Sequence, residues 1–358
     1  KDNRMDPRAA RIAAFLDAAG WGAARQAPLA GDASFRRYLR LTAADGRRAV
    51  LMDAPPPQED VRPFWRLAAL LRGLGFRAPA ILAGDPVAGL LLVEDLGDTT
   101  LARALAEGTV DPSAAYRLAT DTLIALHRAW DAAPAPTTAL PDYDTGRLID
   151  EEAMLLVDWY LPAVGRPVDT AARDAYAAAW RTALTAAGDL PHTLVLRDYF
   201  PDNLMLLAPP PEDPAPASAE AAARACGLLD FQDAVRGPRP YDLMSLLQDA
   251  RRDVPEAIEE AMLRRYLEAF DDLDPAAFRR GYTVLAAQRH AKVLGIFTRL
   301  AQRDGKPGYL AHVPRLWRLL TRALAEPALA PVAAWLDQHL PPELRRTPAA
   351  AGPGEAPA

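Results

Sequence analysis

Three residues carry the clearest chemistry in this chain: Asp198 and Asn203 in "LVLRDYFPDNLMLL", and Asp230 in "GLLDFQDA". Asp198 and Asn203 stand five positions apart between two apolar runs, and Asp230 closes a third such run with Phe231 behind it. Phosphoryl transfer uses groups of this kind. A carboxylate accepts the proton of the attacking hydroxyl, while carboxylate and amide oxygens hold Mg²⁺ against the phosphates. A D-x-x-x-x-N spacing alone is common, and Asp and Asn also build plain turns. The order strand, loop, strand, then a third strand ending in Asp-Phe is more specific and favours a transfer site, with Pro201 stiffening the loop.

A second stretch, "LAGDASFRRYLRL", sets Gly31 and Ser34 just ahead of a strand. A small turn between sheet strands can lay backbone N–H groups against phosphates, with Arg36 or Arg37 adding charge; an ordinary hairpin turn with surface arginines fits the same residues.

The elements that must position these groups follow from periodicity. Ile12, Phe15, Leu16 and Ala19 fall at i, i+3, i+4 and i+7, which predicts an amphipathic helix stopped by Gly20. "SFRRYLRLTAADGRRAVLMDAP" alternates about Asp45-Gly46, a hairpin signal, and Pro55 to Pro57 end its second strand. A helix in "VRPFWRLAALLRGLGF" and two strands in "PAILAGDPVAGLLLVEDLG" complete an antiparallel sheet with one or two helices. After Gly97 the period becomes helical, as in Tyr116, Ala119, Leu123, Leu126 and Trp130. Further helices are expected near 150–160, 170–187, 240–249, 255–270, 276–302 and 313–325, with short strands between 191 and 235. The predicted class is α+β, with an antiparallel-sheet lobe over residues 1–97 and a mainly helical lobe over 98–340. Residues 208–225, rich in Pro and Ala, predict a mobile loop, and 341–358 a disordered tail.

Half of the 358 residues are hydrophobic and a quarter charged, as in soluble globular proteins. The net charge of −6 argues against a general nucleic-acid binder, because counterion release rewards basic surfaces. No apolar run reaches the ~18 residues that span a bilayer, and the N-terminus has no uninterrupted signal-peptide stretch. A lone cysteine, Cys226, excludes an intramolecular disulfide framework and a Cys-based metal site, so a reducing, cytoplasmic setting is expected. No histidine pair has zinc spacing, and no obligatory protein partner is indicated.

"GDASFRRYLRL", "VLMDAPP", "LLVEDLGD", "LRDYFPDNLM" and "LLDFQDAVRGPRPYDLMSLLQDARRDV" together resemble the aminoglycoside phosphotransferase family from about residue 10 to 325. Within it the chain is most similar to the branch of anomeric sugar kinases. These put phosphate from ATP onto the 1-hydroxyl of N-acetylmuramate and N-acetylglucosamine in peptidoglycan recycling. The resemblance implies a bilobal protein-kinase-like fold with a nucleotide-binding N-terminal lobe, ATP and Mg²⁺ as cofactors, and a small amino sugar as substrate. It puts the catalytic base at Asp198 and the metal ligands at Asn203 and Asp230. The phosphate-covering loop falls on Gly31, Asp32, Ser34 and Phe35, beside Arg36. "VEDL", with Glu94 and Leu96, matches the hinge that meets adenine. Asp242 matches a residue that braces the catalytic loop, where Arg197 precedes the base.

Two departures stand out. Met52 occupies the expected position of the strand-three lysine, so phosphate anchoring is expected from an arginine, with Arg36, Arg37 and Arg48 as candidates, from backbone N–H groups or from Mg²⁺; the sugar-kinase branch carries the same stretch. Leu196 replaces a histidine ahead of the base. On the substrate side, Arg289, Lys292, Arg299 and Arg303 share one helix face. That stripe is either a solvated face or a place where Arg289 or Lys292 meets the lactyl carboxylate of a muramate-type sugar. Gln232 and Asp233 are expected at the sugar hydroxyls, though Asp233 could equally start a turn. An aminoglycoside kinase would need an acidic site for its polycation, whereas these stripes are basic. A catalytically inactive scaffold is the other alternative, and retention of all three catalytic groups argues against it.

Overall fold

The computed structural model describes residues 6–29, 35–133, 140–210 and 219–349. Helix α1 (Pro7–Ala18) begins where the Asp6 carboxylate accepts the Arg8 amide at 3.0 Å, a normal N-cap. Five antiparallel strands follow: β1 (Arg25–Pro28), β2 (Arg37–Thr42), β3 (Arg48–Asp53), and, after helix α2 (Arg62–Gly73), β4 (Ile81–Asp85) and β5 (Leu90–Glu94). They lie in the order β1-β2-β3-β5-β4. Gly46 takes φ +86° in the β2–β3 turn, the left-handed conformation that the Asp-Gly pair anticipates. Leu41, Ala49, Leu51, Leu90 and Leu92 bury one cluster of side chains with Leu16 and Trp21. β1 escapes the periodicity reading because all four of its residues are exposed.

Helices α3 (Leu101–Ala106) and α4 (Pro112–Ala132) come next. The predicted stripe of α4 is buried at Tyr116, Ala119, Leu123 and Leu126, and His127 is buried with it. From residue 140 the expected helix near 150–160 forms instead as two π-helical segments, Arg147–Ala153 and Leu156–Tyr160, followed by the single turn α5 (Leu161–Ala163). Helix α6 (Thr170–Ala187) is capped by Asp169, and β6 (His192–Val195) leads to the loop that carries Asp198.

After the 3₁₀ turn Pro201–Asn203 come β7 (Leu204–Leu206), helix α7 (Ala219–Ala225), β8 (Cys226–Leu228) and β9 (Val235–Pro238). α7 corrects the expected loop over 208–225, of which 211–218 lie outside the described residues. Alanine is the best helix former, and its small side chain lets Ala222, Ala223 and Ala225 bury. Helices α8 (Pro240–Leu247), α9 (Glu256–Glu268), α10 (Pro275–Gln302), α11 (Val313–Ala323) and α12 (Ala330–His339) complete the chain. The expected tail begins too early: Pro342–Leu344 form a 3₁₀ turn, and the Tyr160 hydroxyl donates to the Arg346 carbonyl at 2.6 Å. Residues 350–358 lie outside the described part.

Packing divides the described chain into two units. The residues before 139 together with 201–233 form one, holding the five-stranded sheet, α1–α4 and the β7–β8 pair. Residues 140–200 and those from 234 onward form the other, which is mainly helical around α10 and contains the β6–β9 pair. Among the described residues no helix is long and apolar enough to cross a membrane.

Candidate active site

In the first unit, β7 and β8 pair antiparallel with Leu204 opposite Leu228. That register sets Asn203, just before β7, beside Asp230, just after β8. The Leu229 amide donates to the Asn203 carbonyl at 3.0 Å, and the Asn203 side-chain amide donates to Asp230 Oδ2 at 3.3 Å. Gln232 Nε2 donates to Asp230 Oδ1 at 2.7 Å and approaches Asp233 at 3.4 Å. Asp230 itself adopts φ +55°, a left-handed conformation that costs a non-glycine residue roughly 1–2 kcal/mol. Its neighbour Phe231 offsets this by stacking on Phe64 of α2, ring centroids 4.8 Å apart and both rings buried.

An amide oxygen and a carboxylate are the hard donors Mg²⁺ prefers, and a Mg²⁺ that keeps phosphate oxygens and waters needs only one or two protein ligands. Asn203 and Asp230 fit that ion. Among the described residues no group of three or more His, Cys, Asp or Glu is arranged to hold a metal by itself.

Of the residues expected at the nucleotide, Gly31, Asp32 and Ser34 lie outside the described residues. Phe35 is 69 % exposed, with its amide donating to Glu59 at 3.2 Å, and Arg36 pairs with the same carboxylate at 2.9 Å. Glu94 ends β5, its carboxylate receiving Arg77 at 2.7 Å and the Ala80 amide at 3.2 Å. Leu96 lies beside Gly227 of β8. Met52 is buried and carries no charge into the sheet. The next residue, Asp53, is buried as an anchor: Arg8 of α1 donates Nε to it at 2.9 Å, and Arg37 pairs with it at 2.7 Å. Arg48 stands 3.4 Å from Asp95. Each arginine named as a phosphate anchor therefore already has a carboxylate partner.

In the second unit, Asp198 follows Arg197, whose φ is +71°. This left-handed turn is held from α8, where the fully buried Asp242 accepts the Leu196 amide at 2.6 Å and the Arg197 amide at 2.9 Å. Burial pushes the Asp242 carboxyl up to about 7, and the two amide hydrogen bonds pull against that. Leu196 packs in the interior. Asp198 keeps 40 % of its side chain exposed. Arg289 of α10 is 3.7 Å from Asp198 and 3.4 Å from the Arg197 carbonyl.

The basic stripe of α10 is buried at its start, half-buried at Arg299 and solvated only at its end. Arg289 and Lys292 are both buried, while Arg303 lies at the surface and pairs with Asp304 at 2.7 Å. Lys292 is turned to Glu152 at 2.7 Å, and its charge is balanced by that carboxylate. Sequence reasoning missed Glu152 altogether. It is buried, receives Arg197 at 2.7 Å and the Tyr143 hydroxyl at 2.6 Å, and holds its charge down to about 2; burial opposes that shift, and Lys292 and Arg197 outweigh it. The available signal was a glutamate inside the apolar pattern Leu148, Ile149, Ala153 and Leu156.

The sequence matches the phosphotransferase enzyme family over residues 25–279. It is 39 % identical to the N-acetylmuramate/N-acetylglucosamine kinase of Caulobacter vibrioides, covering 95 % of this chain and 98 % of that protein. Identity to the protein of the same name from Pseudomonas aeruginosa is 41 %, covering 87 % and 89 %. Among solved structures, the GDP complex of aminoglycoside 2'-phosphotransferase-IIIa superposes with a TM-score of 0.59 at 15 % identity, over 89 % of this chain and 99 % of that one. That likeness shows the fold, which is the protein-kinase-like one. The asparagine and aspartate joined by β7–β8, the braced Asp198 loop and the match over most of the sequence agree: the chain belongs to the phosphotransferase enzyme family.

Proposed function

We propose that this chain is an ATP-dependent kinase that phosphorylates the anomeric hydroxyl of N-acetylmuramate or N-acetylglucosamine. The observation that carries the reading is the catalytic stretch, with Asp198 partly exposed on a loop braced by Asp242, in a chain whose relatives bear that name along nearly their full length. Asp198 accepts the proton of the attacking hydroxyl, and its fixed loop supplies the orientation on which phosphoryl transfer depends. Asn203 and Asp230 would hold Mg²⁺, which when bound neutralises charge on the phosphates.

The backbone from Glu94 to Leu96 receives adenine, and the segment around Gly31, Asp32, Ser34 and Phe35 covers the phosphates with Arg36 nearby. These residues lie ahead of the proposed lobe boundary at residue 97. Gln232 and Asp233 bind sugar hydroxyls. Arg289 is the cation for the lactyl carboxylate: its contacts to Arg197 and Tyr241 are long, at 3.4 Å each, and it lies beside the base. The working compartment is the cytoplasm, where a thiol such as Cys226 stays reduced.

ADP release from Mg²⁺ATP tests the reading across N-acetylmuramate, N-acetylglucosamine, other hexosamines, aminoglycosides and choline. Turnover with the two N-acetylated sugars is expected. Turnover with aminoglycosides alone would overturn the substrate, and no turnover together with no nucleotide binding would point to an inactive scaffold.

A further inference from the structure

We propose that Glu152 is a positioning residue for the catalytic loop, holding the Arg197 side chain so that the adjoining Asp198 keeps its aim. The inference rests on Asp198 being the base, as proposed above.

Glu152 sits in the π-helical segment Arg147–Ala153 with 3 % of its surface exposed. Both carboxylate oxygens are saturated. Oε1 receives Arg197 Nη2 and Lys292 Nζ, each at 2.7 Å, while Oε2 receives the Tyr143 hydroxyl at 2.6 Å and Gln288 Nε2 at 3.0 Å. The Arg197 guanidinium also lies over the Tyr143 ring, 5.3 Å from its centroid. A left-handed arginine persists only where its surroundings over-determine it. Asp242 fixes the two amides at 196 and 197, which sets the backbone but leaves the long side chain free. Glu152 supplies the missing restraint at the far end of that side chain.

Helix α10 ties the arrangement together. Gln288 and Lys292 from this helix anchor Glu152, while Arg289 between them approaches Asp198 at 3.7 Å and the Arg197 carbonyl at 3.4 Å. A buried carboxylate whose only task is to neutralise Lys292 would be dispensable once Lys292 is also removed. One that positions Arg197 would not.

That difference is the test. Glu152→Gln, the pair Glu152→Gln/Lys292→Met, Arg197→Met and Asp198→Asn are compared with wild type for kcat, KM for ATP and urea unfolding, with N-acetylmuramate as acceptor. Glu152→Gln strands two cations and is expected to lose stability; the double variant removes one charge of each sign and regains much of it. The expected result is a kcat about 10- to 100-fold low in both Glu152 variants and in Arg197→Met, with KM for ATP within about twofold. Recovery of kcat together with stability in the double variant, or a wild-type kcat in Arg197→Met, overturns the proposal. An Asp198→Asn enzyme within about tenfold of wild type overturns the base assignment instead, since a general base contributes about 10²–10⁴-fold.

Discussion

Replacing Asp242 with alanine should both destabilise the protein and slow it. The carboxylate accepts two backbone amides, at 2.6 and 2.9 Å, in a position with no solvent exposure. Alanine leaves both N–H groups buried without an acceptor, at about 1–3 kcal/mol each. Part of this is returned, because burial already holds the carboxyl up to about 7 and disfavours its charge. The expected net loss is about 2–4 kcal/mol. Freed from its anchor, Arg197 can leave φ +71° and take Asp198 with it; a displacement of ~1 Å at the proposed base can cost on the order of 10²-fold in kcat. The pH dependence has a definite sign. A folded value near 7, above the ordinary 3.8, makes this carboxyl's contribution greatest below about pH 4 and lost as pH rises through 7. Urea unfolding at pH 5 and pH 8 should therefore show a larger penalty for Asp242→Ala at pH 5. Asp242→Asn, which keeps one acceptor and turns an N–H toward the other amide, should fall between alanine and wild type. A loss below about 0.5 kcal/mol, the range of an ordinary surface substitution, with unchanged kcat would refute the bracing role.

Glu152 titrates with the opposite sign. Its carboxyl is held at about 2, below the ordinary 4.5, so its contribution of roughly 3 kcal/mol is present above pH 4.5 and lost as pH falls toward 2. Urea midpoints at pH 5 and pH 3 should show a drop that Glu152→Gln flattens. Gly295→Ala in α10 should lower the melting temperature, because a Cβ there would lie 2.3 Å from the Leu155 carbonyl carbon and oxygen; overpacking of this kind costs about 1–3 kcal/mol. Phe64→Ala removes the ring stacked on Phe231 at 4.8 Å and should cost about 3–5 kcal/mol. It should also raise the Mg²⁺ concentration needed for half-maximal turnover, since Phe231 fixes the backbone of Asp230.

What could be read in advance was whatever local chemistry decides. The Asp45-Gly46 hairpin depends on two adjacent residues, and the helices expected near 170–187 and 276–302 form as α6 and α10. The predicted period of α4 falls on buried residues, but α4 from Leu118 to His127 and α10 from Val284 to Gly295 are buried on every side. β1 and α7 were hidden because one has no buried side chain and the other is built of alanines, which carry little pattern. Asp198, Asn203 and Asp230 could be named as candidates from their order along the chain. Glu152 and Asp53 could not, since their partners stand 45 residues away along the chain, at Arg197 and at Arg8 respectively. The charge of Lys292 was visible, but the direction of its side chain was not; only the packing of α10 against the segment at 147–160 turns it inward.

The most direct measurement of the central claim is the position of the phosphate on the product. Purified protein with Mg²⁺ATP and N-acetylmuramate is followed by ³¹P and ¹H NMR. A sugar 1-phosphate is expected, recognised by coupling between phosphorus and the anomeric proton, formed with stoichiometric ADP and absent with Asp198→Asn. Phosphate on any other hydroxyl, or ATP consumed to inorganic phosphate with no sugar ester, would contradict it.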